Sequence, residues 1–85
     1  MDTSAEDPLV DFARRLREIR LKRRLSQEQL ASLAGLDRTY VSGCETGRRN
    51  ATIRTICRLS DALGVDPAAL VSDLNQLPLE ADQDP

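Results

Sequence analysis

Eighty-five residues with one Phe, one Tyr, no Trp and no His allow one small domain, whose aliphatic core is only marginally sufficient alone. With no His, no Gly-rich phosphate loop and no carboxylate pair set in an apolar pocket, the chain does not read as an enzyme. Its two cysteines, Cys44 and Cys57, do not make a zinc site, so neither a metal nor another cofactor is expected. The net charge of −2 conceals a division along the chain. All twelve basic residues lie between Arg14 and Arg58 and meet only Glu18, Glu28, Asp37 and Glu45 there, so that window carries +8. Residues 1–11 carry −4 and residues 65–85 carry −5. A basic centre between acidic ends keeps nucleic acid open as a partner despite the low pI. No apolar run approaches the roughly 18 residues of a membrane span, and the acidic start is unlike a signal peptide, so the cytoplasm is the expected location.

Residues 1–7 read as a flexible acidic arm. Pro8 suits the first turn of a helix over residues 8–24, in which Leu9, Phe12, Leu16 and Ile19 share one face. Its other face carries Arg14, Arg15, Arg17, Lys22, Arg23 and Arg24. Such a run is ordinarily a solvated face, but Arg23 and Arg24 end the helix where a phosphate could be met. Ser26 and Gln29 form a capping-box pair at the start of a helix over residues 26–34, with Leu30, Leu33 and Ala34 inward and Gly35 as its stop. Leu36 plugs the turn, and Asp37 caps a third helix over residues 37–46 that Gly47 ends. Thr52 caps a fourth over residues 52–63, with Ile53, Ile56, Leu59, Ala62 and Leu63 as its core face and Gly64 as its stop. Asp66 and Pro67 open a fifth over residues 66–77. Core packing claims Leu70, while Val71, Leu74 and Leu77 are candidates for a two-fold interface. Residues 78–85 read as a disordered acidic tail. Both cysteines sit at apolar-face positions and read as reduced core thiols, with redox sensing as the alternative.

The third helix buries little: Val41, Cys44 and part of Tyr40. A short helix, a tight turn and a second helix with Arg at its start suit a reader that enters a DNA major groove. Arg38 can span O6 and N7 of a guanine, Thr39 offers a methyl and a hydroxyl, and Ser42 lies one turn further on. Gly43, facing the same way, would let the helix backbone approach the DNA closely. Gln27, Tyr40, Arg49, Asn50, Arg23 and Arg24 are expected at the DNA backbone. For Gln27 the alternative is bracing the reading helix, and for Tyr40 a ring half-buried on Val41. One reader covers few base pairs, so a homodimer on double-stranded DNA is expected. Its readers would lie about 34 Å apart on a pseudo-palindromic operator.

The residues also carry a resemblance. Leu25-Ser26-Gln27-Glu28-Gln29-Leu30-Ala31, Ala34-Gly35-Leu36, Tyr40-Val41-Ser42 and Glu45-x-Gly47 resemble the phage-repressor-like (Cro/XRE) helix-turn-helix family, from about Phe12 to Leu70. The narrower run from Leu36 to Gly43, with Arg49-Asn50 soon after, is similar to the controller proteins of restriction–modification systems. The resemblance implies an all-α, compact five-helix lambda-repressor-like domain that is usually dimeric. It implies a transcriptional regulator acting upstream of its own gene and of an endonuclease gene, activating at low concentration and repressing at high. It also implies an ion pair between Arg20 and Glu45, two separate surface charges being the plainer alternative. An antitoxin or small phage-type repressor, and a protein-interaction module that kept the fold without binding DNA, remain the competing readings. Contact between the acidic ends and RNA polymerase is an idea that only their charge supports.

Overall fold

In the computed structural model, residues 7–72 are described. They form five helices and no strand: α1 (Pro8–Lys22), α2 (Gln27–Ala34), α3 (Arg38–Glu45), α4 (Ile53–Leu63) and α5 (Ala68–Val71). The residues 1–6 of the acidic arm, Leu74, Leu77 and the tail over residues 78–85 lie outside the described residues. None of the described helices is long and apolar enough to cross a membrane.

Each of α1 to α4 starts on a residue that satisfies an otherwise unpaired backbone N–H. The Asp7 carboxylate accepts from Leu9 N at 3.0 Å, with Pro8 at the first helical position where no donor is needed. Ser26 and Gln29 bond reciprocally: Gln29 N donates to Ser26 Oγ at 3.0 Å and Ser26 N to Gln29 Oε1 at 2.8 Å. Asp37 caps α3 through Thr39 N, and Thr52 caps α4 through Thr55 N.

The exits from α1 and α3 are built alike from different residues. At α3, Arg48 N donates to Gly43 O at 2.9 Å and Gly47 N to Cys44 O at 3.4 Å, around a left-handed Gly47 (φ 78°). At α1, Leu25 N donates to Arg20 O at 3.2 Å and Arg24 N to Leu21 O at 3.0 Å, and the left-handed residue is Arg24 (φ 59°). Both are Schellman turns, but a side chain at the left-handed position is strained by about 1–2 kcal/mol where glycine is not. The left-handed turn at Arg24 ends the helix at Lys22, before the expected residue 24. Leu25, packed against the core just after the turn, helps to hold it.

Leu16, Leu30, Val41, Cys44, Leu59 and Leu70 are fully buried, with Phe12 and Leu63 beside them. α3 lies against α1 and α2, α4 supports α2 from behind, and α5 closes on α1 and α4. A core this small makes each large aliphatic count, at roughly 2–5 kcal/mol for a Leu→Ala truncation. Three residues expected inside are outside. Leu33 is 62% exposed because the inner stripe of α2 runs through Leu30, Ala31 and Ala34, whose small side chains let α2 sit close to its neighbours. Ile53 is 79% exposed, and Cys57 is exposed as well, because the inner stripe of α4 runs through Thr55, Leu59, Ser60 and Leu63. At roughly 100° per residue, that stripe lies about a quarter-turn from Ile53 and further from Cys57. Val71 is half-buried and already packs against the core.

Candidate nucleic-acid interface

The outer face of α3 begins at Arg38 and Thr39, both exposed, and continues to a half-buried Ser42. No described protein group hydrogen-bonds the Arg38 guanidinium, so its donors are free for a ligand. The inner face is tied down. Arg20 donates from Nε to Glu45 Oε2 at 2.5 Å and from Nη2 to Glu45 Oε1 at 2.9 Å, with both side chains almost wholly buried. A third donor, Nη1, reaches Leu25 O at 2.7 Å, and Gln27 Nε2 donates to Glu45 Oε1 at 3.0 Å. The bond to Glu45 raises the Arg20 pKa above its already high ordinary value, so the guanidinium stays charged. One carboxylate at the end of α3 thereby joins the exit of α1 and the entry of α2. Arg20 sits in a fork geometry that Lys could not reproduce.

Two residues expected at phosphates also hydrogen-bond within the protein. Gln27 braces Glu45, and Arg23 Nε donates to Leu63 O at 2.9 Å, joining the exit of α1 to the last turn of α4. A cation at that end also complements the helix dipole. Arg24, exposed like Arg23, sits in its strained turn. Elsewhere on the basic face of α1, Arg14 pairs with Asp11 and Glu18, and Arg15 with Asp11 at 3.4 Å, while Arg17 and Lys22 are exposed. Asp11, buried despite its charge, was not singled out in the sequence, although its spacing to Arg14 and Arg15 is the helical i, i+3 and i, i+4.

Beyond α3, Arg49 and Asn50 are exposed, and the Arg49 guanidinium carbon lies 5.5 Å from the centre of the Tyr40 ring. Tyr40 is half-buried, with its hydroxyl 3.5 Å from Thr55 Oγ1, which accepts from Thr52 Oγ1 at 3.1 Å. Tyr40, Arg49 and Thr55, with Leu36, Asp37 and Thr39, line an open cleft beside the start of α3. The hydroxyl chain through Thr52 and Thr55 has no signal in the sequence beyond the capping spacing. Gly43 does not form an open approach for DNA as expected: it is buried, and the Arg49 stem lies across it. Beneath the site, burial pushes the Cys44 thiol up, while the Arg49 charge and the Tyr40 hydroxyl act in the opposite direction.

The geometry is that of two short helices crossing at a tight turn, the second held from behind and bare in front. A family model for the helix-turn-helix domain matches residues 11–74. The control protein C.BamHI of Bacillus amyloliquefaciens is 46% identical over 61 residues, which cover 71% of this chain and 75% of that protein. This chain belongs to the phage-repressor-like helix-turn-helix family, among the restriction–modification controller proteins. Within that family, the structure of the controller protein C.AhdI from Aeromonas hydrophila superposes with a TM-score of 0.72 at 52% identity, covering 73% of this chain and 94% of that one. The C.Esp1396I controller, solved as a tetramer in complex with its natural 35 base-pair operator, gives a TM-score of 0.73 at 32% identity, covering 84% of this chain and 93% of that one.

Proposed function

We propose that this protein is a sequence-specific DNA-binding transcriptional regulator of the controller type, acting as a homodimer on a pseudo-palindromic operator. It regulates its own gene and that of a restriction endonuclease, in the cytoplasm where its DNA lies. The observation that carries this reading is the exposure of Arg38 and Thr39 on a helix whose back is fixed by the buried Arg20–Glu45 pair. Side chains that read bases must be free, and the backbone that carries them must not be. Arg38 takes a guanine edge, with Thr39 and Ser42 on the neighbouring pairs. Arg49, Asn50, Arg24 and Tyr40 meet the sugar–phosphate backbone and set the register. Val71, followed by Leu74 and Leu77, supplies apolar surface for the two-fold contact. The operator-bound tetramer of C.Esp1396I supports two dimers on adjacent sites. The negative charge of the acidic ends disfavours DNA and offers them to RNA polymerase.

A footprint titrated on DNA upstream of the protein's own gene tests this. Two adjacent pseudo-symmetric sites should fill in sequence, and affinity should fall about 10³–10⁵-fold from 50 to 200 mM salt for six to ten phosphate contacts. Weak binding that is indifferent to both sequence and salt would refute the reading. Unchanged transcription after deletion of residues 78–85 would remove the polymerase contact alone.

A further inference from the structure

Gly43 is in the interior of α3 and is not among the glycines with positive φ, which are Gly35, Gly47 and Gly64. Its backbone conformation is therefore open to any residue, and alanine would favour the helix more. What forbids a side chain is Arg49. A Cβ placed on Gly43 would lie 2.5 Å from Arg49 Cγ and 3.5 Å from both Cδ and Nε. The atom struck is the root of the arginine stem, not its mobile tip. Nor can the root withdraw freely, because Arg49 N donates to the carbonyl of Gly43 itself at 3.2 Å, and Arg48 N to the same oxygen at 2.9 Å. Relief would come from a change of Arg49 rotamer, which takes the guanidinium away from the Tyr40 face.

We propose that Gly43 is a positioning residue for DNA recognition: its missing side chain is the seat of the Arg49 stem, and it fixes where the Arg49 charge meets the DNA. This rests on the reading that Arg49 contacts the operator. The seat holds a flexible side chain in one orientation before DNA arrives, so less conformational freedom is lost on binding. The Tyr40 ring supplies the ledge above, and the Thr55 hydroxyl lies within 3.5 Å of the Tyr40 hydroxyl. The presence of glycine at a helical position with ordinary geometry is thereby explained by the neighbour it accommodates.

The test compares the full-length protein with Gly43→Ala, Arg49→Ala and the double variant. The DNA probe is a duplex spanning the region upstream of the protein's own gene. Gly43→Ala should melt no lower than the parent yet bind about tenfold more weakly. The double variant should bind as Arg49→Ala does, since the seat has no function without its occupant. In the free protein, NMR should show Arg49 side-chain protons shifted by the Tyr40 ring, and the shift should vanish in Gly43→Ala. An unchanged shift and unchanged affinity in Gly43→Ala overturn the seat. Additive losses in the double variant overturn it too, by showing that Gly43 acts through its own approach to DNA. If Arg49→Ala binds as the parent does, the underlying DNA-contact reading fails, and the NMR shift separates that failure from one of the seat.

Discussion

Two arginines flank the reading helix and meet opposite fates. Arg20 is 6% exposed and shares its donors between both oxygens of Glu45 and a backbone carbonyl. Arg49 is exposed and lies on an aromatic face with no carboxylate partner among the described residues. A buried charge with all three nitrogens hydrogen-bonded sets a geometry and is out of a ligand's reach. An exposed one, resting on a ring and across a glycine, contributes little to the fold and keeps its charge for a phosphate or a base. α3 is fixed by the first arrangement and, in the proposed function, works through the second.

The sharpest way to break the comparison is to remove one half of the buried pair. Arg20→Ala or Glu45→Ala should destabilise the fold by about 3–5 kcal/mol, since each leaves an uncompensated charge inside. For a small domain, that is a large share of the whole stability. The double variant should lose much less than the two single losses together, and urea melts of the three variants measure it. Additive losses would mean that the two side chains do not stabilise one another.

Next in size is Arg38→Ala, which separates reading from folding. It should weaken operator binding by about 1–3 kcal/mol per reader, roughly 5–150-fold, and leave the urea melt unchanged. The discrimination should be lost at one base-pair position in each half-site. A uniform loss across sequences would demote Arg38 to a phosphate contact.

The local chemistry of the fold was legible because its signals are short-range. Ser26 with Gln29, Asp37 ahead of Arg38, Thr52, and the glycines after α2, α3 and α4 act within a few residues of themselves. The errors arise where a choice of one helical position depends on the neighbouring element. Leu33 and Ile53 are as apolar as the residues buried beside them, and only the approach angle of α2 and α4 turns them outward. Cys57 went the same way. In the candidate site, the exposure of Arg38 and Thr39 followed from the narrow apolar stripe of α3. Contacts across 25 or 40 residues had no local trace: Arg20 with Glu45 came from family resemblance, and Arg23 with Leu63 was not anticipated. Gly43 showed the other blind spot, because a missing side chain does not reveal what fills its place.

Arg24 is the intermediate case between the two flanking arginines, exposed like Arg49 yet held in a strained turn. Arg24→Gly should relieve the left-handed strain and stabilise the protein by about 1 kcal/mol. For a domain of this size that is roughly 4–8 °C in Tm. If Arg24 meets a phosphate, the same variant should bind more weakly across all sequences, with the salt slope smaller by about 1 per protomer. A gain in Tm without a change in slope would make the strain a structural accident of the α1 exit.

The smallest effect concerns the two thiols, one on each side of the same core boundary. Cys44 is fully buried beneath Tyr40, while Cys57 is exposed on α4. At pH 8 a thiol reagent should label Cys57 quickly and Cys44 only through opening of the fold. Burial raises the Cys44 pKa, which fixes the sign of its pH dependence. The folded state favours the neutral thiol, so this stabilisation is complete at neutral pH, below the unfolded chain's thiol pKa of about 8.5. It is lost as rising pH first ionises the unfolded chain and then passes the raised folded value. Stability followed by urea melts from pH 7 to pH 10 should decline in the parent, and the part due to Cys44 should be missing in Cys44→Ala, which starts lower because a buried side chain has been truncated. Parallel pH profiles for the two proteins would show that the Cys44 thiol titrates alike folded and unfolded, and that the barrier to its labelling is steric alone.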